Sequence, residues 1–492
     1  MAKKTARNRK LARARSRLAK AQKKISRSSW KFFMAGEGMS VRTGRFIGES
    51  LLVGFFTGFV VVAFRYMIQY GFAWITEGVG HHQYLSKLSA GAAFSRFEWS
   101  AAFSDPYRWI MLVLPALGAW VGYQLIKRFD SLEHARGTDS AVLAYHRRHG
   151  YVPPVVIPVK STASVLTVAS GGSAGYEGPV TLLGAACGSC VASWFNLSSR
   201  DRRILMTAGL SAGIAALFQA PLAGAIFGFE ILYSSSDVEY ECILPCFIAS
   251  AVSYTIFAYF FGWGSLFQMP ADCIYENGAR LFPYLALAVV ITFASRFYIS
   301  FFRATERFFS QWKIRGAYKV IIGGLVTGCI GFFFPDILGT SYDLIQASMA
   351  AGRSELYENI GPLTIAAFAC FFLMKTIATA FTVGSGGSGG VFAPALVCGG
   401  AVGAAVGLAF QAILPESLGI HPAAFALVGM AGFLASANRI PIASVVMVAE
   451  ISGNHGLLLP AMWVCGISFW LNNGWSLYRS QVHNRESSPI HG

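Results

Sequence analysis

The sequence predicts an all-α protein that crosses a membrane many times and carries its chemistry on short, interrupted helices. Three observations lead to this class. Charged residues make up 13% of the 492-residue chain and hydrophobic residues 54%, whereas soluble domains carry about 25% charged residues. Long apolar segments recur from near residue 46 to near residue 473. Between them lie apolar segments too short, or too broken by Gly and Pro, to cross about 30 Å of hydrocarbon alone. Broken helices persist at membrane depth only where they are buried in protein or line a cavity.

Taken in order, residues 1–44 form a basic segment. Thirteen Lys or Arg and no acid fall within residues 1–31, which accounts for most of the net charge of +16. No apolar core with a cleavage site comes after it, so the segment is not a signal peptide. A cytoplasmic tail obeying the positive-inside rule and touching anionic lipid explains it better than nucleic-acid binding. Long apolar segments run at about 46–71, 107–127, 240–263, 280–302, 316–334, 359–383 and 457–473. Shorter ones lie near 160–170, 178–195, 204–217, 221–233, 391–411, 422–436 and 440–452. The expected transmembrane domain is 45–482, in halves of about 45–263 and 280–482, with a short tail at 483–492 and no regulatory domain beyond it. Nine cysteines are scattered, mostly in apolar segments. Cys187 and Cys190 have CxxC spacing but no second pair at zinc spacing, which reads as buried reduced thiols.

The chemistry concentrates at Gly171-Gly-Ser-Ala-Gly-Tyr-Glu-Gly-Pro179. From Ser161 to Ala192 the only charged residue is Glu177, and a lone carboxylate at membrane depth marks a functional site. Pro179 suits the first turn of an apolar helix Val180–Trp194. A buried helix start presents unpaired N–H groups and a positive dipole end, which together make an anion seat.

This stretch is repeated. Val168-Ala-Ser-Gly-Gly-Ser-Ala-Gly-Tyr-Glu-Gly-Pro179 matches Val383-Gly-Ser-Gly-Gly-Ser-Gly-Gly-Val-Phe-Ala-Pro394 without a gap, at seven identical positions, with Phe392 opposite Glu177. Gly209, Pro221 and Glu230 return as Gly429, Pro441 and Glu450 with their spacings kept. Two halves closing around one site are expected; spacing alone does not fix whether they are inverted.

These residues resemble the CLC family of chloride channels and anion/proton exchangers, over roughly residues 45–485. The family's Gly-Lys/Arg-Glu-Gly-Pro motif is here Gly175-Tyr-Glu-Gly-Pro179, its Gly-x-Phe-x-Pro motif is Gly390-Val-Phe-Ala-Pro394, and its late filter tyrosine matches Tyr478 in Ser476-Leu-Tyr-Arg-Ser-Gln481. Pro158-Val-Lys160 and Glu450 also fall in place. The resemblance implies an inverted-repeat fold of broken and tilted helices without CBS domains. It also implies a homodimer with one pore per subunit, in the cell membrane with both termini cytoplasmic. No cofactor is implied beyond chloride or another small permeant anion. Carried over, Glu177 is the gating glutamate. The anion is bound by the first filter motif, by Gly178, by the amides of Val391 and Phe392, and by the Tyr478 hydroxyl. Such donors hold an anion without trapping it.

Three departures matter. The first filter motif, Gly-Ser-Gly-Ile-Pro, aligns with Ala135-Arg-Gly-Thr-Asp139. Arg136 then stands at the central serine, followed by Gly137, with Asp139 as a candidate ion-pair partner; a one-residue slip puts Thr138 there instead. Tyr176 replaces the basic residue beside the gate, removing a positive charge from the expected outer entrance. Ile231 stands where exchangers of the family commonly carry an internal proton-transfer glutamate. An aliphatic side chain cannot titrate, so uncoupled, channel-like conduction is expected, with an antiporter using another internal proton route as the alternative. Glu230 and Glu450 are expected to be structural.

A reading from another class is an intramembrane hydrolase, because Gly171-Gly-Ser173-Ala-Gly175 fits the G-x-S-x-G elbow. That motif requires a preceding strand and a downstream base, and neither is suggested here. His81 and His82 are adjacent with no third ligand at suitable spacing, so no metal site is expected.

Overall fold

In a computed structural model of the chain, the described residues are 39–77, 103, 106–129, 137–267, 281–342, 346, 362–415 and 419–490. The basic segment 1–31, Arg136, His81 and His82 lie outside them. The chain divides into two units, Met1–Ser50 and Leu51–Gly492. Of the first unit only residues 39–50 are described, and the inverted repeat and the site belong to the second.

The described residues hold fifteen α-helices and no named strand. The first half contains α1 (Met39–Phe72), α2 (Pro106–Lys127), α3 (Thr138–Arg147), α4 (Val156–Ala169), α5 (Glu177–Trp194), α6 (Ser199–Phe218), α7 (Pro221–Glu230) and α8 (Ile243–Phe261). The second contains α9 (Leu281–Gln311), α10 (Gly316–Phe333), α11 (Pro362–Gly384), α12 (Phe392–Ile413), α13 (Pro422–Asn438), α14 (Pro441–Ser452) and α15 (Leu458–Leu471). Among the described residues, seven helices are long and apolar enough to cross a membrane.

Three boundaries differ from the sequence reading. The segment near 391–411 forms a 22-residue helix, α12, because the Pro394 ring falls in its first turn, where no N–H is required. The segment at 457–473 yields only 14 residues in α15. It stops where Asn472 turns inward and its Nδ2 donates to Ser436 O at 2.9 Å. Helix α5 starts at Glu177 rather than Val180, so the carboxylate belongs to its first turn.

The repeat is three-dimensional. Helices α4 and α11 end in the same turn: Gly172 N donates to Thr167 O (2.9 Å) and Gly387 N to Thr382 O (3.1 Å), with Gly171 at φ 99° and Gly386 at φ 115°. Helices α6 and α13 end in left-handed residues, Gln219 (φ 54°) and Arg439 (φ 62°). Two residues after each, a proline starts the next helix. Where α5 crosses α6, a Cβ on Gly184 or Gly209 would collide with the other's carbonyl; Gly399 and Gly429 repeat this where α12 crosses α13. Small residues at such crossings let helix backbones approach closely, as membrane packing requires.

The halves are also antiparallel. Glu230, the last residue of α7, accepts from Ile442 N (2.9 Å) and Ala443 N (2.7 Å) at the start of α14. Glu450, near the end of α14, accepts from Leu222 N (3.1 Å) and Ala223 N (2.7 Å) at the start of α7. A helix end meeting its partner's start in both directions requires the two helices to run oppositely, so the repeat is inverted. It also gives Glu230 and Glu450 one structural task, since each satisfies first-turn donors that have no intrahelical acceptor.

Segment 482–490 folds back rather than trailing away. Ser234 N donates to Val482 O and Ser235 N to His483 O, both at 2.9 Å, and Arg485 pairs with Glu239 at 3.1 Å.

Replacing Glu230 or Glu450 with Ala strips two first-turn donors of their acceptor. Each change is expected to cost about 2 kcal/mol, measured as a lower thermal-unfolding midpoint of the purified protein in detergent. The Gln variants, which keep one acceptor oxygen, are expected to lose less.

Candidate functional site

The inverted halves bring the starts of α5 and α12 together. Gly175 and Gly390 form an isolated antiparallel bridge, N–H to C=O at 2.8 Å in both directions. A Cβ on Gly178 would lie 2.8 Å from the Gly390 Cα, and one on Gly137 would lie 2.9 Å from the Gly178 carbonyl carbon. Gly137, at φ 68°, is the N-cap of α3. Three helix starts therefore converge through glycines, and each carries first-turn amides without intrahelical acceptors.

Glu177 is fully buried. Its Oε2 accepts from Ala393 N at 3.2 Å, in the first turn of α12. Its Oε1 accepts from the Tyr342 hydroxyl. A Cβ at position 175 would collide with Oε2, which is why a glycine faces the carboxylate. The carboxylate thus sits among the donors an anion would use.

Apart from Arg136, which falls outside the described residues, the other residues expected at the site lie around it. Val391 is the N-cap of α12 and Phe392 its first residue. The Val391 carbonyl accepts from the buried Tyr298 hydroxyl at 3.2 Å, which orients that peptide group. The Phe392 ring packs against Phe218 (5.5 Å) and Phe227 (5.7 Å). The Tyr478 hydroxyl is buried, with the Thr138 side chain beside it and Glu177 within its electrostatic reach. Thr138, itself buried, shares a 2.9 Å hydrogen bond with Thr181. Of the two candidates for the filter-serine position, Thr138 thus lies beside α5, and Arg136 falls outside the described residues.

Asp139 is engaged by Ser480. Its two oxygens accept from Ser480 N (2.9 Å) and Ser480 Oγ (3.0 Å), which ties α3 to the segment carrying Tyr478. Ile231 is fully buried at the C-cap of α7, and its carbonyl accepts from Gln481 Nε2 at 2.9 Å. Ser173 Oγ pairs with Thr379 Oγ1 at 3.1 Å, a hydroxyl that offers no basic nitrogen to take its proton. In the other half Ser388 Oγ pairs with Ser164 Oγ at 2.9 Å. Both serines are inter-repeat ties, and the nucleophile reading has no geometry behind it. Cys187 is buried, Cys190 is half-buried, and both are free thiols.

Sequence reasoning missed three groups. Tyr342 reaches Glu177 from 165 residues away, and no local motif marks it. Lys375 is fully buried and could have been found, because a lysine inside an apolar segment is the same signal that identified Glu177. Arg65 on α1 lies within electrostatic reach of Tyr176 and Tyr342. It brings positive charge to the side of the gate where Tyr176, whose ring packs on Phe64 at 6.1 Å, supplies none. On the Tyr478 side a cavity of about 570 Å³ is lined by Arg303, Arg307, Arg439 and Arg479, with Trp475. Arg479 pairs with Glu306 at 2.7 Å, and the guanidinium groups around the opening together raise the local anion concentration.

The profile of the family described as voltage gated chloride channel matches residues 117–473. A putative chloride channel protein, ClcB-like, of Ralstonia nicotianae is 28% identical over 361 residues, covering 73% of this chain and 81% of its own length. The H(+)/Cl(-) exchange transporter ClcA of Yersinia pestis is 29% identical over 421 residues, 84% of this chain and 81% of its own length. Among solved structures, a CLC-type fluoride/proton antiporter superposes with a TM-score of 0.72 at 20% identity, covering 91% of this chain and all of its own. A slow cyanobacterial Cl−/H+ antiporter gives a TM-score of 0.72 at 19% identity, covering 88% and 96%. These last two likenesses are of fold. Seven candidate spans, the inverted repeat and a profile match across most of the sequence agree: the chain belongs to the voltage-gated chloride channel family and is an anion-transporting membrane protein.

Proposed function

We propose that the chain passes chloride or a similar small anion through the seat between the starts of α5 and α12, with Glu177 as the gate, and without coupling to protons. The carboxylate accepts from the seat's donors in place of the permeant anion. Protonation removes its charge and its claim on those donors, and a competing anion can displace it. The incoming anion is then held by the amides of Gly178, Val391 and Phe392 and by the hydroxyls of Thr138 and Tyr478, beside Gly137. From there it moves to or from the arginine-lined cavity. Arg136, at the first filter motif, draws anions toward it.

One observation carries the uncoupled reading. Position 231 is a buried aliphatic side chain, and the neighbouring Glu230 is fully engaged in capping α14, so neither residue offers a proton from the inner side. A second reading, anion/proton antiport by another internal route, is favoured by the exchange activity in the name of the Yersinia relative. We further propose a homodimer with one pore per subunit, in the cell membrane with cytoplasmic termini and the basic head on anionic lipid.

The deciding experiment records chloride efflux and external pH together from chloride-loaded liposomes, with valinomycin setting the membrane potential. Uncoupled conduction predicts chloride loss without stoichiometric proton uptake; uphill proton uptake driven by the chloride gradient would establish the exchanger. Glu177→Gln is expected to make efflux largely independent of pH. Steep pH dependence surviving that change would move the proton sensor elsewhere.

A further inference from the structure

We propose that Tyr342 is a positioning residue for the gate: its phenol latches the ionised Glu177 carboxylate into the anion seat, on a strap that Lys375 pins down. The proposal rests on the reading of Glu177 as the gate.

The carboxylate is held from two elements that are remote in sequence. Ala393 N on α12 takes Oε2, and Tyr342 takes Oε1. Tyr342 stands at the end of a strap that leaves the C-terminus of α10. The strap makes a 3-10 turn at Pro335–Ile337, then passes through two left-handed residues, Gly339 (φ 64°) and Ser341 (φ 61°). For a serine this conformation is uncommon and costs energy, so something must hold the strap in shape. Lys375, from α11, does so. Its Nζ donates to Ile337 O (2.9 Å), Gly339 O (2.8 Å) and Ser341 Oγ (2.8 Å). An ammonium has three N–H donors, and three strap oxygens use all of them. The Phe267 ring, 6.1 Å away at an edge angle, backs the Tyr342 ring.

Further polar groups among the described residues face this cluster. Arg65 of α1 and Tyr176 act on Tyr342, Cys398 of α12 lies within reach of Lys375, and Tyr478 faces Glu177 from the far side. None of the three oxygens on Lys375 is a carboxylate, so among the described residues its charge is solvated by dipoles rather than by an ion pair. Glu177 lies within its electrostatic reach, and in a medium of low dielectric that field favours an anion in the seat, whether carboxylate or chloride.

A hydrogen bond from a hydroxyl to a carboxylate is about twice as strong as a neutral one. It forms fully only while Glu177 is ionised and seated. The latch therefore opposes both routes of opening: protonation must forgo it, and a competing anion must break it. Without the phenol hydroxyl, less acid suffices to free the seat.

The test uses the full chain in liposomes, with chloride efflux measured against pH for the native protein, Tyr342→Phe, Glu177→Gln and the double variant. Tyr342→Phe is expected to raise efflux at neutral pH roughly tenfold and to move the pH of half-maximal efflux up by about one unit. In the double variant, loss of the hydroxyl is expected to change efflux less than about twofold, because the charged partner of the bond is already gone. Ser341→Ala, which removes one Lys375 acceptor and the Ser341 Oγ bond to Asp336 O (2.6 Å) but keeps the Tyr342 hydroxyl, is expected to shift the profile the same way by less. A Tyr342→Phe profile that superposes on the native one, while Glu177→Gln abolishes pH dependence, overturns the latch and leaves the gate standing. Equal gain or equal loss of efflux with either residue at position 177 also overturns it. Unchanged pH dependence in Glu177→Gln removes the gate reading itself.

Discussion

A helix that starts inside a membrane protein leaves its first amide N–H groups pointing into a medium with no water to receive them. This chain has several such starts, and its inverted repeat sorts them into two kinds. At α7 and α14 the donors are closed permanently by Glu450 and Glu230, each supplied by the partner helix. At α5 and α12 no fixed acceptor covers the whole seat. The Glu177 carboxylate covers part of it, from a side chain that the proposed gating requires to move away. The contrast is between donors sealed for stability and donors left for exchange, and the proposed transport depends on it.

The surroundings of the seat suit the proposed exchange. Glycines bring backbones close without side chains between them, so amides rather than fixed cations face the anion. Positive charge is present but set back: Arg65 near Tyr176 on one side, Lys375 bound to the strap, and the arginines of the cavity beside Tyr478 on the other. Set at that distance, these charges attract an anion without holding it in a direct ion pair.

Much of this was legible in the sequence because the repeat preserved it. The Gly-rich turns, the prolines and the paired glutamates recur at fixed spacing, and a lone carboxylate in an apolar stretch identifies itself. Orientation was not legible, since antiparallel and parallel halves share the same spacings; the reciprocal caps of Glu230 and Glu450 decide it. Tyr342 and Asp139 were unreadable for another reason. Their partners, Glu177 and Ser480, lie 165 and 341 positions away, and no local pattern records such distant pairing. Helix ends were misjudged where an inward polar side chain, Asn472, rather than a change in hydropathy stopped the helix.

The ties between halves bear on how the protein is made. Ser173 needs Thr379, Ser388 needs Ser164, and each half lends the other the carboxylate that completes a short helix. The amino-terminal half therefore leaves the ribosome with buried donors and hydroxyls whose partners have not yet been synthesised. It must wait in the bilayer incompletely bonded until residues near 450 emerge. Assembly of the interior is thus a late event, and neither half alone contains the means to finish it.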